Sequence, residues 1–240
     1  MKSILAGLTL SALAFSTAFA APSSGVRSDI AATKDGTAVH VVRQGAINTQ
    51  AAPPPTKLLT IFDNFAHRYP KGVYGSFVGR NVTGSQNASN FPEYWLASPF
   101  TPSVAHTASE IRVPVQAWAG TNAAIVGLYG DSAGLPGTAI KEWHVENMPS
   151  SGCCALVTVR SKVGIPLTAG TQYWIVVRPD PSKGNDQFMA WNYNVTDQVT
   201  TSNFAYYCKD TATATCNVQS GAWHPNNYFV ALAYGVYGPN

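Results

Sequence analysis

Charge is scarce in this chain. Asp, Glu, Lys and Arg make up 11% of its 240 residues, and the formal net charge is only +3. The lysines and arginines are scattered, so there is no basic stripe to meet phosphates, and nucleic acid is not expected as a partner. No segment carries the i, i+3, i+4 apolar period of an amphipathic helix. No C-x-x-C pair is present, so a structural zinc site has no ligand framework. His67, His106, His144 and His224 show neither H-x-H nor H-E-x-x-H spacing, and a catalytic metal centre is unsupported. Past the leader, no apolar run reaches the ~20 residues that a membrane helix needs.

What is present begins with that leader. Lys2 supplies a positive start, Ile4 to Phe15 is apolar or small, and Ala18-Phe19-Ala20 is an A-x-A cleavage site. Residues 1–20 are therefore expected to be removed after Ala20, with Ala21 as the second choice. The mature protein is expected outside the cytoplasm, periplasmic or secreted, with no membrane insertion after leader cleavage. Residues 21–57 are rich in Ala, Ser, Thr, Gly and Gln and end in Pro53-Pro54-Pro55, the composition of a tether. Val39-His40-Val41-Val42 is its one strand-like patch. The folded domain is expected over residues 58–240.

The four cysteines suit an oxidising compartment. Cys208 and Cys216 flank a short polar loop, and their local bridge is the favoured pairing. Closing such a loop is worth roughly 2–3 kcal/mol in the chain-entropy model. Cys153 and Cys154 then form a vicinal bridge or stay reduced. Pairing of both with Cys208 and Cys216 is the alternative, since connectivity is not readable from sequence.

The strand signals are dense. Leu58 to Phe65 opens the set. Ser109 to Trp118 alternates apolar and polar, with Pro114 marking an edge or a bulge. Ala124 to Gly130 and Gln172 to Arg178 are apolar on both alternating sets and read as central strands covered on both faces. Tyr74 to Val78, the EYWLASPF run, ALVTVR, QFMAWNYNV and NYFVALAYGVY add more, and Glu142 to Met148 continues a strand. Many short strands with twenty glycines and sixteen prolines between them describe an all-β protein, a single antiparallel β-sandwich of jelly-roll type.

Two motifs allow a resemblance to be named. The first is Leu128, Tyr129, Asp131, Gly134, Pro136 and Gly137. The second is Leu167, Ala169, Gly170, Thr171, Tyr173 and Trp174. Together they resemble the bacterial exported domains called choice-of-anchor, R type. The resemblance implies an extracellular β-sandwich and carries no catalytic residues. The tail AYGVYGPN lacks the usual sorting segment, so no C-terminal anchor is expected. In physical terms Gly134 and Gly137 suit left-handed turn positions, and Asp131 suits an Asx turn.

Several constellations bear on chemistry. Gly130-Asp131-Ser132-Ala133-Gly134 matches G-x-S-x-G and approaches the G-D-S-G-G of trypsin-like proteases. A nucleophile elbow needs a strand, a turn and then a helix, whereas Leu135-Pro136-Gly137 follows here. His106 stands 26 positions from Ser132, and between them only Glu110 is an acid suitably placed for a triad. Ser132 is therefore read as a turn residue. A carboxylate pair could hydrolyse glycosides, but no motif selects two of Glu93, Glu110, Asp131, Glu142, Glu146, Asp180 and Asp186. No cofactor is expected, apart from structural calcium as an option on Asp131, Asp180, Asp186 or Asn185 with carbonyls.

The favoured function is a non-catalytic exported β-sandwich module that binds a glycan or other cell-surface material, or that serves as an envelope or extracellular structural domain. Exposed aromatics ringed by amides serve that purpose. Trp223 with Asn226, Asn227 and Tyr228 is the candidate platform, because Gly221 and Pro225 suggest a loop. Trp191 and Tyr193 fall on one strand face and read as core. A secreted hydrolase using Ser132 or a carboxylate pair, and a structural subunit of a larger assembly, are the alternatives.

Overall fold

The computed structural model describes residues 29–32, 39–42, 58–65, 79–150, 156–194, 202–228 and 231–240. Residues 29–32 and 39–42, Ser202, Asn203, Asn227 and Tyr228 are described by their backbone alone. The expected leader, the expected strand at Tyr74 to Val78, Cys153 and Cys154 lie outside the described residues. Among those described there are fifteen strands, β1 to β15 in chain order, and no helix.

Two antiparallel sheets carry the fold. The smaller holds β10 (Val157–Leu167), β6 (His106–Val113), β15 (Gly235–Pro239) and β3 (Leu58–Asp63), in that order. The heart of the larger is β5 (Glu93–Phe100), β11 (Tyr173–Pro179), β8 (Ala123–Ser132) and β9 (Leu135–Glu146). Counted by chain order among these eight, the sheets read 1-8-3-6 and 2-7-4-5. That is the double Greek key of a jelly roll. The sequence expectation for the fold class holds.

The larger sheet is widened beyond β5. There β4 (Gly79–Thr83) pairs with β12 (Phe188–Asn192), which pairs with β7 (Val115–Ala119). On the same side β13 (Ser202–Lys209) pairs with β5 and with β14 (Ala222–Tyr228). An antiparallel pair, β1 (Asp29–Ala32) and β2 (Val39–Val42), joins β4 through Val39 and Gly79.

The main core lies between the sheets. Leu96, Val126, Leu128, Ile175 and Val177 of the larger sheet meet Ile111, Val113 and Val236 of the smaller. These residues recur at every second position, the period that puts side chains on one face of a strand. Trp191 is fully buried among them and donates its indole N–H to the Ala233 carbonyl at 2.7 Å.

Pro114 sits where the chain leaves the smaller sheet at the end of β6 and enters the larger one as β7. The expected Ser109 to Trp118 strand is thus split at its proline. Its polar positions are also covered, since Arg112 and Gln116 are buried along with the apolar set.

The other face of the larger sheet is not solvent-washed either. Ala97, Tyr129, Trp174, Val176 and Ala205 form a second buried cluster there. This is why β8 and β11 read as apolar on both sets. Leu135 at the start of β9 and Trp223 on β14 both pack against this cluster, although the two strands flank the sheet on opposite sides. The sheet therefore curls into a half-barrel with this face inside, and β14 comes into contact with β9.

Candidate functional site: the concave aromatic face

The strands that line the curl set the geometry. On β5, alternation turns Glu93, Trp95 and Ala97 toward the concave face while Leu96 and Phe100 enter the main core. On β13, Ala205 and Tyr207 face the same way, and Trp223 stands opposite Tyr207 on β14. Trp95 and Tyr207 stack with ring centroids 4.2 Å apart. Trp223 meets both edge-on, at 6.2 Å from Trp95 and 5.9 Å from Tyr207. All three rings are half-buried, so each keeps part of its surface in water.

Polar groups are fixed around these rings. The Trp95 indole N–H donates to Glu93 Oε1 at 2.8 Å. The Arg178 guanidinium lies 5.2 Å above the Trp95 ring and donates twice to Glu142, at 3.0 and 3.1 Å. Such a fork is the strong form of a carboxylate pair. Tyr129 also donates to Glu142 through a short hydrogen bond. Burial pulls the Glu142 carboxyl upward, but the bonds from Arg178 and Tyr129 outweigh it and hold the carboxyl below its ordinary range. Burial and the Glu142 contact push the Tyr129 hydroxyl up to about 12, so it stays a donor at neutral pH.

At the far end of the face, the two sequence motifs lock together. Asp131 Oδ1 accepts from the Trp174 indole at 2.8 Å and from Gln172 at 2.7 Å, and its Oδ2 accepts from the Gly134 amide at 3.0 Å.

The residues singled out from sequence fall as follows. Trp223 is not in a loop but on β14, and it is part of the aromatic cluster. Asn226 is opposite Phe204 in the register, on the face away from Trp223, so it does not ring that indole. Asn227 and Tyr228 continue β14, backbone-paired with Asn203 and Ser202, and their side chains lie outside the described residues. Cys208 and Cys216 are bridged, with Cα atoms 6.1 Å apart, as the local reading expected.

Ser132 ends β8 in a two-residue hairpin. Ala133 and Gly134 have φ of +53° and +81°, the pattern of a type I′ turn, and Ser132 pairs with Leu135 across it. No helix follows, and His106 belongs to the other sheet. Ala133 rather than Gly137 shares the left-handed positions with Gly134, which corrects the turn expected there.

The carboxylates named above are engaged one by one. Glu110 binds Arg112 and Arg160, and Glu146 binds Lys183. Buried Asp180 accepts from Ser182 at 2.6 Å and shares a 2.6 Å hydrogen bond with His144. Asp186 accepts from the Thr121 amide at 3.2 Å. No group of three or more His, Cys, Asp or Glu side chains placed to hold a metal ion occurs among the described residues.

Trp95, Tyr207, Arg178 and Glu142 escaped the sequence reading as a group. The available signal was the second alternating set of the central strands. Bulky aromatic and charged residues there mark a second face that is not plain core.

Compared with known proteins, the chain matches no family model, no curated protein and no solved structure.

Proposed function

We propose that this chain is an exported, non-catalytic β-sandwich module that binds a glycan on the concave face of its larger sheet. The observation that carries the reading is the Trp95, Tyr207 and Trp223 cluster, three partly exposed rings held rigid beside fixed donors and acceptors. Sugar rings present apolar C–H faces that stack on such platforms, and their hydroxyls need oriented polar partners. Glu93, Arg178 and Glu142 supply these. The leader and the resemblance to choice-of-anchor domains fit a module that works outside the cytoplasm.

A polysaccharide pull-down with wild-type protein, Trp95→Ala and Ser132→Ala tests the reading. Wild type and Ser132→Ala should be retained on the same neutral polysaccharide. Trp95→Ala, checked for cooperative unfolding, should lose at least tenfold in affinity. Retention unchanged by Trp95→Ala, or a Ser132 that reacts with a fluorophosphonate, would overturn it.

A further inference from the structure

Beside the concave face, the edge strand β9 and the β10 strand of the other sheet border a cleft of about 440 Å³. Trp143 forms part of its wall, its indole tied to the Arg160 carbonyl at 2.8 Å. The register of β10 against β6 jumps from Arg160 opposite Glu110 to Ile165 opposite Ala108. Ser161 to Gly164 thus stand against Ser109 alone as a four-residue bulge, a device that re-aims side chains. A Cβ at Gly164 would lie 2.1 Å from Thr107 Cγ2, so a larger residue there would have to displace that side chain. The bulge carries Lys162 and Val163 to the cleft, and Val163 is 80% exposed.

Lys141 reaches the same cleft from β9. Lys141 and Lys162 have no carboxylate at ion-pair distance among the described residues, whereas Arg112, Arg160, Arg178 and Lys183 are all paired. The one lining carboxylate, Glu142, is already bound by Arg178. In a chain so poor in charge, two unpaired ammonium groups beside an indole wall and an exposed valine make a cationic, partly apolar site.

We propose that this cleft is an anion subsite for a carboxylate or sulfate borne on a sugar, so that the module binds an acidic glycan more tightly than its neutral counterpart. This rests on the glycan-binding reading above. Lysine suits the role as a flexible point charge for either group, and the contribution should be sensitive to salt.

The test uses two polymer pairs that differ in charge on one backbone: polygalacturonate against its methyl ester, and dextran sulfate against dextran. Affinity is measured at low and high salt for wild type, for the double variant Lys141→Gln/Lys162→Gln, and for Trp95→Ala. Both lysines are exposed, so the double variant should fold normally. In wild type, the charged member of at least one pair should bind at least tenfold more tightly at low salt. That preference should vanish in the double variant and at high salt. Trp95→Ala should weaken both members of the pair alike. Equal binding of charged and neutral members, a preference that survives the double variant, or no binding of either acidic polymer would overturn the subsite. In those cases the lysines only guard an edge strand. Neutral-polymer binding lost in Trp95→Ala would still support the module reading, so the two fail separately.

Discussion

At the scale of single residues, Asp131 does more than its turn requires. Its carboxylate ties the β8–β9 hairpin to the Trp174 indole and to Gln172. Trp174 is 2% exposed, so removing the acceptor strands a buried N–H. Asp131→Ala should therefore cost about 1–3 kcal/mol, the usual penalty for an unsatisfied buried donor. Asp131→Asn, which keeps one acceptor, should cost less. The same residue predicts acid sensitivity. Burial raises the Asp131 pKa, but the bonds from Trp174, Gly134 and Gln172 outweigh it and leave the pKa lowered. Asp180, Asp186 and Glu142 are also lowered. Carboxylates lowered in the folded state add stability above their unfolded pKa of about 4, and lose it as pH falls through the folded value. Melting temperature should be flat near neutrality and drop below about pH 4, and less steeply in Asp131→Asn. A wild-type melting temperature that rises on acidification would contradict this.

At the scale of elements, the β8–β9 hairpin makes the sharpest prediction. A type I′ turn needs positive φ at both central residues, yet Ala133 occupies the first at +53°. A non-glycine residue pays about 1 kcal/mol for that conformation. Ala133→Gly should therefore raise stability by about 0.5–1 kcal/mol, seen as a higher denaturant midpoint. The substitution also completes the Gly-Asp-Ser-Gly-Gly run of a serine protease. Even so, a fluorophosphonate probe should leave Ser132 unlabelled. Labelling, or a clear loss of stability, would show that the hairpin assignment is mistaken.

The same elements show what sequence could and could not reveal. β8 and β11 were legible because both alternating sets are apolar, and a strand covered on two faces leaves no other reading. The corner at Pro114 was legible as a break, but not as a change of sheet, which depends on partners far along the chain. β14 was misread as a loop because Gly221 and Pro225 flank Trp223. Among the described residues β14 pairs only with β13, which makes it an edge strand, and an edge strand tolerates proline where its N–H faces away from the partner. The bulge of β10 left no signal beyond Gly164, since a bulge is defined by its register against another strand.

At the scale of the whole molecule, the decisive feature is the curl of the larger sheet. It folds Leu135 and Trp223 over one cluster and gathers Trp95, Tyr207, Arg178 and Glu142 onto one concave face. No local pattern encodes that meeting, because β9 and β14 are separated by the full width of the sheet. The most direct test is a two-dimensional amide spectrum that follows the indole N–H signals during titration with neutral oligosaccharides such as cellohexaose, xylohexaose, mannohexaose and chitohexaose. With a sugar that binds, the Trp95 and Trp223 signals should shift in step. The Trp191 signal should stay fixed, because its N–H is buried and committed to the Ala233 carbonyl. If none of these sugars moves Trp95 or Trp223, or if binding moves other signals and leaves these two in place, the concave aromatic face is not the binding site.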